Sequence, residues 1–197
     1  MVNLNNKISI LVDKELRKLS DKEFARSRNR LIGKSVISYG VKTQEIRKIT
    51  KEYFKRFQKE TQESWLKVVK ELMSTKVFED QMAGIFLLSK IGGKLSISEL
   101  EKLIKKYIDN WATCDTMSSE VVAKILIRSP ERIEALYTWA KSKNIWLKRA
   151  ALITTVKFKD KIENWQEIAC QILSLLEKEK EPTIKKAAHW LKKEVLR

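Results

Sequence analysis

The chain has 197 residues, with 41 Lys+Arg against 25 Asp+Glu for a formal charge of +16, and 43% of it is apolar. That length and apolar content build a core without disulfide or metal staples and exclude intrinsic disorder. Five Gly and two Pro leave little material for hairpins or glycine-rich phosphate loops, and the basic excess points to a polyanionic partner, nucleic acid ahead of an anionic membrane surface.

From the N-terminus onward the apolar residues recur at helical spacing. Ile8, Leu11, Val12, Leu16 and Leu19 form the first such stripe, and Ser20 with Glu23 reads as a capping box for the next segment. Thr43 leads Gln44 to Phe57, with Ile46, Ile49, Tyr53 and Phe57 on one face. Helices are then predicted over Ser64–Met73, Phe78–Ile91, Glu99–Ile108, Thr116–Ile127, Glu131–Ala140, Ile145–Val156, Trp165–Leu176 and Thr183–Leu196. Gly92-Gly93 closes one helix, and Pro130 and Pro182 stand at first-turn positions where a missing N–H costs nothing. Short connections make successive helices antiparallel neighbours.

Small-residue pairs sit inside these helices at Ala83-Gly84, Ser118-Ser119, Ala150-Ala151 and Ala187-Ala188, spaced by 35, 32 and 37 residues. Small residues let helices approach closely, so a pair recurring about every 35 residues describes an α-solenoid of the HEAT kind. The expected fold is all-α: one HEAT-like solenoid domain over residues 1–197, built of antiparallel helix pairs around a basic concave groove. The N-terminal MVNLNNKISILV is too short an apolar run for a signal peptide, and no stretch reaches the ~18 apolar residues of a membrane span. The reading is a cytoplasmic, nucleoid-associated monomer with no membrane partner. Cys114 and Cys170 are not at metal-ligand spacing, and one histidine, His189, makes no multi-histidine site; no metal and no cofactor are expected.

Charge is unevenly spread. Residues 1–60 carry a net +9, residues 61–136 net zero and residues 137–197 net +7. Two basic ends around a neutral middle suit a surface that grips a phosphate backbone at two places. Six tryptophans sharpen this, because Trp146 precedes Lys148-Arg149 and Trp190 precedes Lys192-Lys193; an exposed indole beside a cation can stack while the cation holds a phosphate. Trp65 and Trp165 fall on apolar helix faces and read as core. Trp111 instead lies in the polar stretch Asp109-Asn110-Trp111-Ala112-Thr113-Cys114-Asp115, between two predicted helices. Asp115 has two readings: a routine N-cap over Thr116–Ser118, or a carboxylate kept ionised by neighbouring cations to stabilise a cation that forms in a reaction.

Trp111-x-x-x-Asp115, Asn144-Ile145-Trp146-Leu147-Lys148-Arg149-Ala150-Ala151 and Ile184-x-Lys186-Ala187-x-x-Trp190 together resemble the AlkD-type DNA alkylation-repair family of HEAT-like proteins. Gly40-Val41-Lys42-Thr43 with Arg47 is similar to the family's N-terminal segment, and the likeness runs from about residue 20 to 195. Leu31 stands where active members commonly carry a tyrosine, and the chain stops seven residues after Trp190, where relatives often continue. The resemblance implies a monofunctional DNA glycosylase that excises cationic N7- and N3-alkylpurines from double-stranded DNA. It makes Asp115 the catalytic carboxylate, places Trp111 and Trp190 around the lesion nucleotide, and has Arg149, with Lys148, on the DNA backbone. The alternative is a non-catalytic HEAT-like protein that binds DNA, branched DNA or RNA; it shares fold and charge, and Asp115 separates the two.

Overall fold

A computed structural model describes residues 4–33 and 35–197. Among them every regular element is a helix, consistent with a helical-repeat solenoid, and no helix is long and apolar enough to cross a membrane. The chain divides into two compact units, one ending at Gly92 and the other beginning at Gly93.

The first unit holds α1 (Leu4–Lys18), α2 (Lys22–Ile32), α3 (Thr43–Arg56), α4 (Gln62–Ser74) and α5 (Phe78–Ile91). The residues of α5 from Phe78 to Leu88 are all buried; from Met82 to Leu88 apolar and small residues cover every face, and Glu79, Asp80 and Gln81 are buried with them. It packs against α4 and α3, and α1 packs against α4. The predicted small pair explains one of these contacts: a Cβ on Gly84 would lie 2.8 Å from Met73 Cγ and 3.2 Å from the Val69 carbonyl. Helix α2 opens one residue later than its capping box predicted. Asp21, not Ser20, is the cap, accepting from the Glu23 and Phe24 amides at 2.9 and 3.0 Å; the two residue types cap about equally well, and the Tyr39 carbonyl, accepting from the Asp21 amide at 2.8 Å, anchors the chain at Asp21.

Glu79 on α5 ties the loop before α3 into this unit. It is fully buried and accepts from the Tyr39, Gly40 and Val41 amides at 2.8, 2.9 and 3.0 Å, from the Ser38 hydroxyl at 2.8 Å, and from Arg28 of α2. Arg28 also donates to the Val41 carbonyl at 2.7 Å. Gly40 has φ +83, and a Cβ there would meet the Asp21 carbonyl at 1.9 Å; only glycine lets the loop pass this close to α2.

The second unit holds α6 (Ile97–Tyr107), α7 (Trp111–Met117), a π-turn (Ser118–Val122), α8 (Ala123–Arg128), α9 (Glu134–Ala140), α10 (Ile145–Val156), α11 (Trp165–Leu175) and α12 (Pro182–Val195). Helix α10 is its counterpart of α5, buried from Arg149 to Val156 and packed against α7, α9, α11 and α12. Its small pair Ala150-Ala151 is fully buried, and Ala187 of α12 is 1% exposed. Trp139, Phe158, Ile168, Ile172 and Leu191 complete the core around it.

Candidate functional site

Helix α7 starts five residues before the predicted segment that begins at Thr116. Asn110 caps it, its side-chain oxygen accepting from the Thr113 amide at 3.0 Å while the Thr113 hydroxyl donates back to the Asn110 carbonyl at 3.1 Å. Trp111 is therefore the first helical residue rather than part of a polar connection, and Asp115 lies one turn further on the same face. The N-cap reading of Asp115 is overturned: Asn110 takes that role, which leaves the Asp115 carboxylate free to point elsewhere. Just after it the helix widens into the π-turn, where the Ser118 amide is shared between the Asp115 and Cys114 carbonyls. The Ser118 hydroxyl donates to the Cys114 carbonyl at 2.8 Å. Such turns inside helices are rare and gather at functional positions.

The Asp115 carboxylate meets Arg149 of α10 edge to edge. Arg149 donates from Nε to Oδ1 at 2.7 Å and from Nη2 to Oδ2 at 2.8 Å, the bidentate geometry that suits guanidinium and carboxylate. Its Nη1 turns the other way, donating to the Thr183 carbonyl at 2.5 Å and the Thr183 hydroxyl at 3.1 Å in the first turn of α12. The side chain is 7% exposed against 21% for Asp115. A guanidinium has five N–H groups; four are committed within the protein.

One indole borders this pair, and a second lies on the neighbouring cation Lys157. The guanidinium carbon of Arg149 lies 5.9 Å from the centre of the half-buried Trp111 ring. Lys157, which ends α10, places its ammonium 5.3 Å from the centre of the Trp190 ring on α12. The charge of Lys157 also reaches Asp115. Burial is the strongest influence on that carboxyl and lifts it above the usual aspartate range, against the opposing pull of Arg149 and Lys157. The expectation that neighbouring cations keep the Asp115 carboxyl low is corrected accordingly: desolvation of the charged form outweighs them.

Lys148, the neighbour of Arg149, pairs with Glu179 in the connection between α11 and α12. That contact holds the Glu179 carboxyl down to about 2, helped by the Glu181 and Lys180 amides that Glu179 also accepts, at 3.2 and 2.9 Å. Lys148 and Arg149 thus grip the stretch before and at the start of α12 from consecutive positions.

The second unit brings together Trp111, Asp115 and Arg149, while Trp190 is linked to them through Lys157 and Lys148 pairs with the adjoining connection. Trp65, Trp139 and Trp165 are buried; Trp146 is half-buried, its carbonyl accepting from the Cys114 thiol at 3.4 Å. Lys157 and Thr183 escape sequence reasoning. Lys157 sits at a helix end with no motif around it, although it falls eight residues after Arg149; Thr183 looks like an ordinary residue after Pro182. In the first unit Gly40-Val41 proves to be the backbone that donates to buried Glu79, and Arg47 stacks 4.0 Å from the centre of the Phe86 ring. Leu31 is 72% exposed. Among the described residues no group of three His, Cys, Asp or Glu is placed to hold a metal ion.

An all-helical repeat unit whose half-sheltered carboxylate is fixed by an arginine from the next helix pair, with an indole on either cation, defines a class of helical proteins carrying one acid in a basic setting. The chain belongs to the DNA alkylation repair enzyme family, whose model matches residues 12–195. Its role lies in the repair of alkylated DNA. No curated protein matches it.

Proposed function

We propose that the protein is a monofunctional DNA glycosylase that releases cationic N7- and N3-alkylated purines from duplex DNA. The observation that carries this reading is the bidentate hold of Arg149 on Asp115. A carboxylate among cations that serve a phosphate backbone is repelled by that backbone, so its presence needs a reason, and stabilising a cation that forms during a reaction supplies one.

The chemistry follows from the substrate. An N7-alkylated purine already carries positive charge and leaves without a general acid. As the glycosidic bond breaks, positive charge develops on the deoxyribose, and a fixed carboxylate stabilises it without reorganising. Asp115 also serves to orient the attacking water. Trp111 and Trp190 offer π faces to the electron-poor nucleotide. Arg149 acts first on Asp115, opposing the burial that favours its protonation and aiming it, with one N–H left for a phosphate. Lys157 stands beside both Trp190 and Asp115 and adds a cation on the backbone side. Lys148 contributes by tying the α11–α12 connection in place. The partner is double-stranded DNA with alkylated bases, met by a monomer, without metal or cofactor.

The test is release of 7-methylguanine and 3-methyladenine from methylated duplex DNA under single-turnover conditions. Asp115→Asn keeps the shape but removes the charge and one of the two acceptors that Arg149 meets, and the rate is expected to fall by about 10²–10³, the loss typical of a removed electrostatic stabiliser. Duplex affinity is expected to hold or rise, since a repulsive charge is gone. Wild-type protein that binds duplex tightly and frees no base defeats the enzyme reading and leaves a binding protein.

A further inference from the structure

Arg149 links three helices at a constant interval. Asp115 stands 34 residues before it on α7, and Thr183 stands 34 residues after it on α12. The interval falls within the range of the small-residue pair spacings, so the three side chains come from successive helical repeats. The outer two meet the same guanidinium from opposite edges.

That geometry divides the guanidinium's work. The Nε and Nη2 edge faces the carboxylate, while Nη1 faces Thr183, which offers two acceptors at once, its carbonyl at 2.5 Å and its hydroxyl at 3.1 Å. A planar fork with four fixed N–H groups has one orientation; with one edge loosened it can tilt about the bond to its stem. The acceptors are themselves held. Pro182 fixes the backbone at the first position of α12, and Glu181 caps that turn, its carboxylate accepting weakly from the Thr183 amide at 3.5 Å. Four residues before Thr183, Glu179 accepts from the Lys180 and Glu181 amides and pairs with Lys148 on α10. The connection is therefore stapled to α10 by the residue adjacent to Arg149.

We propose that Thr183 is a positioning residue: it locks Arg149 in the orientation that presents both Nε and Nη2 to Asp115, and so fixes the direction of the carboxylate. This rests on the glycosylase reading for its effect on rate, but the positioning itself is a property of the folded chain. Sub-ångström misdirection of a stabilising group is costly to catalysis while leaving binding alone.

Two substitutions and two readouts test it in the full chain. Thr183→Val keeps the β-branched shape and deletes the hydroxyl acceptor; Thr183→Ser restores that acceptor. For base release, Thr183→Val is expected to lower the single-turnover rate about tenfold with duplex affinity within about twofold, and Thr183→Ser to match wild type. For the arginine, nuclear magnetic resonance of labelled protein is expected to show separate, slowly exchanging Arg149 Nη1 and Nη2 signals in wild type and Thr183→Ser, merged in Thr183→Val. Equal rates and unmerged signals in Thr183→Val overturn the proposal, and so does a Thr183→Ser protein as impaired as Thr183→Val. If wild type frees no base yet the Thr183→Val signals merge while those of Thr183→Ser stay apart, the positioning stands and the glycosylase reading falls.

Discussion

At the scale of single residues, the Asp115 carboxyl is governed by opposing influences whose order sets its pH behaviour. Burial raises it; Arg149 and then Lys157 pull it down, and burial prevails. The ionised form is the one that stabilises a developing sugar cation, so activity is expected to fall as pH drops through a value above that of an ordinary aspartate. Removing Arg149 takes away the main opposing influence and leaves burial in place. Arg149→Met is therefore expected to move the acid limb of the single-turnover rate to higher pH, besides lowering the plateau. Rates measured from pH 4 to pH 8 check this. An acid limb that stays put or moves down in Arg149→Met would mean that Arg149 does not hold the proton off Asp115. Cys114 does not enter this titration, because burial and the neighbouring Asp115 charge push its thiol far above the usual range.

At the scale of elements, the helices easiest to place from sequence are those buried on nearly every side, where a run of apolar and small residues marks the length. Phe78–Ile91 and Ile145–Val156 begin and end where their apolar patterns do. The α7 start was obscured by two residues that both cap well: Asn110 and Asp115 each precede a plausible helix, and local chemistry cannot rank them. Tertiary structure does, because Arg149 from 34 residues away claims the Asp115 side chain. The Trp111–Asp115 and Arg149 pattern was legible as a likeness, whereas the pairing between them was not. Lys157 and Thr183 become functional candidates only when α10 and α12 are brought together. The Gly40 loop shows the same limit in the first unit. Its glycine was visible, but its reason is the Asp21 carbonyl at 1.9 Å from a would-be Cβ and a backbone at φ +83. Gly40→Ala is expected to destabilise the protein by about 2–4 kcal/mol, from left-handed strain plus overpacking. Leu31→Ala on exposed α2 surface is the control, with a change within about 0.5 kcal/mol. Urea unfolding of the two variants decides it; equal midpoints remove the close-approach account of Gly40.

At the scale of the whole molecule, charge becomes a statement about counting. The acidic side chains can neutralise no more cations than their own number, so the +16 excess persists however many ion pairs form. Pairing decides only which cations are spent. Lys148 is held by Glu179, Arg149 by Asp115 and Arg28 by Glu79, so the residues most visible in a motif have the least capacity left for phosphates. The uncommitted surplus lies in the +9 and +7 ends rather than in the neutral middle of the sequence. Backbone binding by such a surplus releases counterions, and the affinity for duplex DNA is expected to fall about 10³-fold between 50 and 200 mM salt if about six phosphates are met. Exposed Lys192 and Lys193, beside Trp190, belong to the surplus. Replacing both by Gln is expected to flatten the log–log salt slope by up to about 2. Lys67→Gln breaks only an exposed pair with Glu63 and is expected to leave the slope unchanged. Titration of labelled duplex at four salt concentrations measures all three proteins. A flat response in wild type removes nucleic acid as the partner, and equal slopes for the double variant and Lys67→Gln show that the C-terminal cations do not touch phosphate.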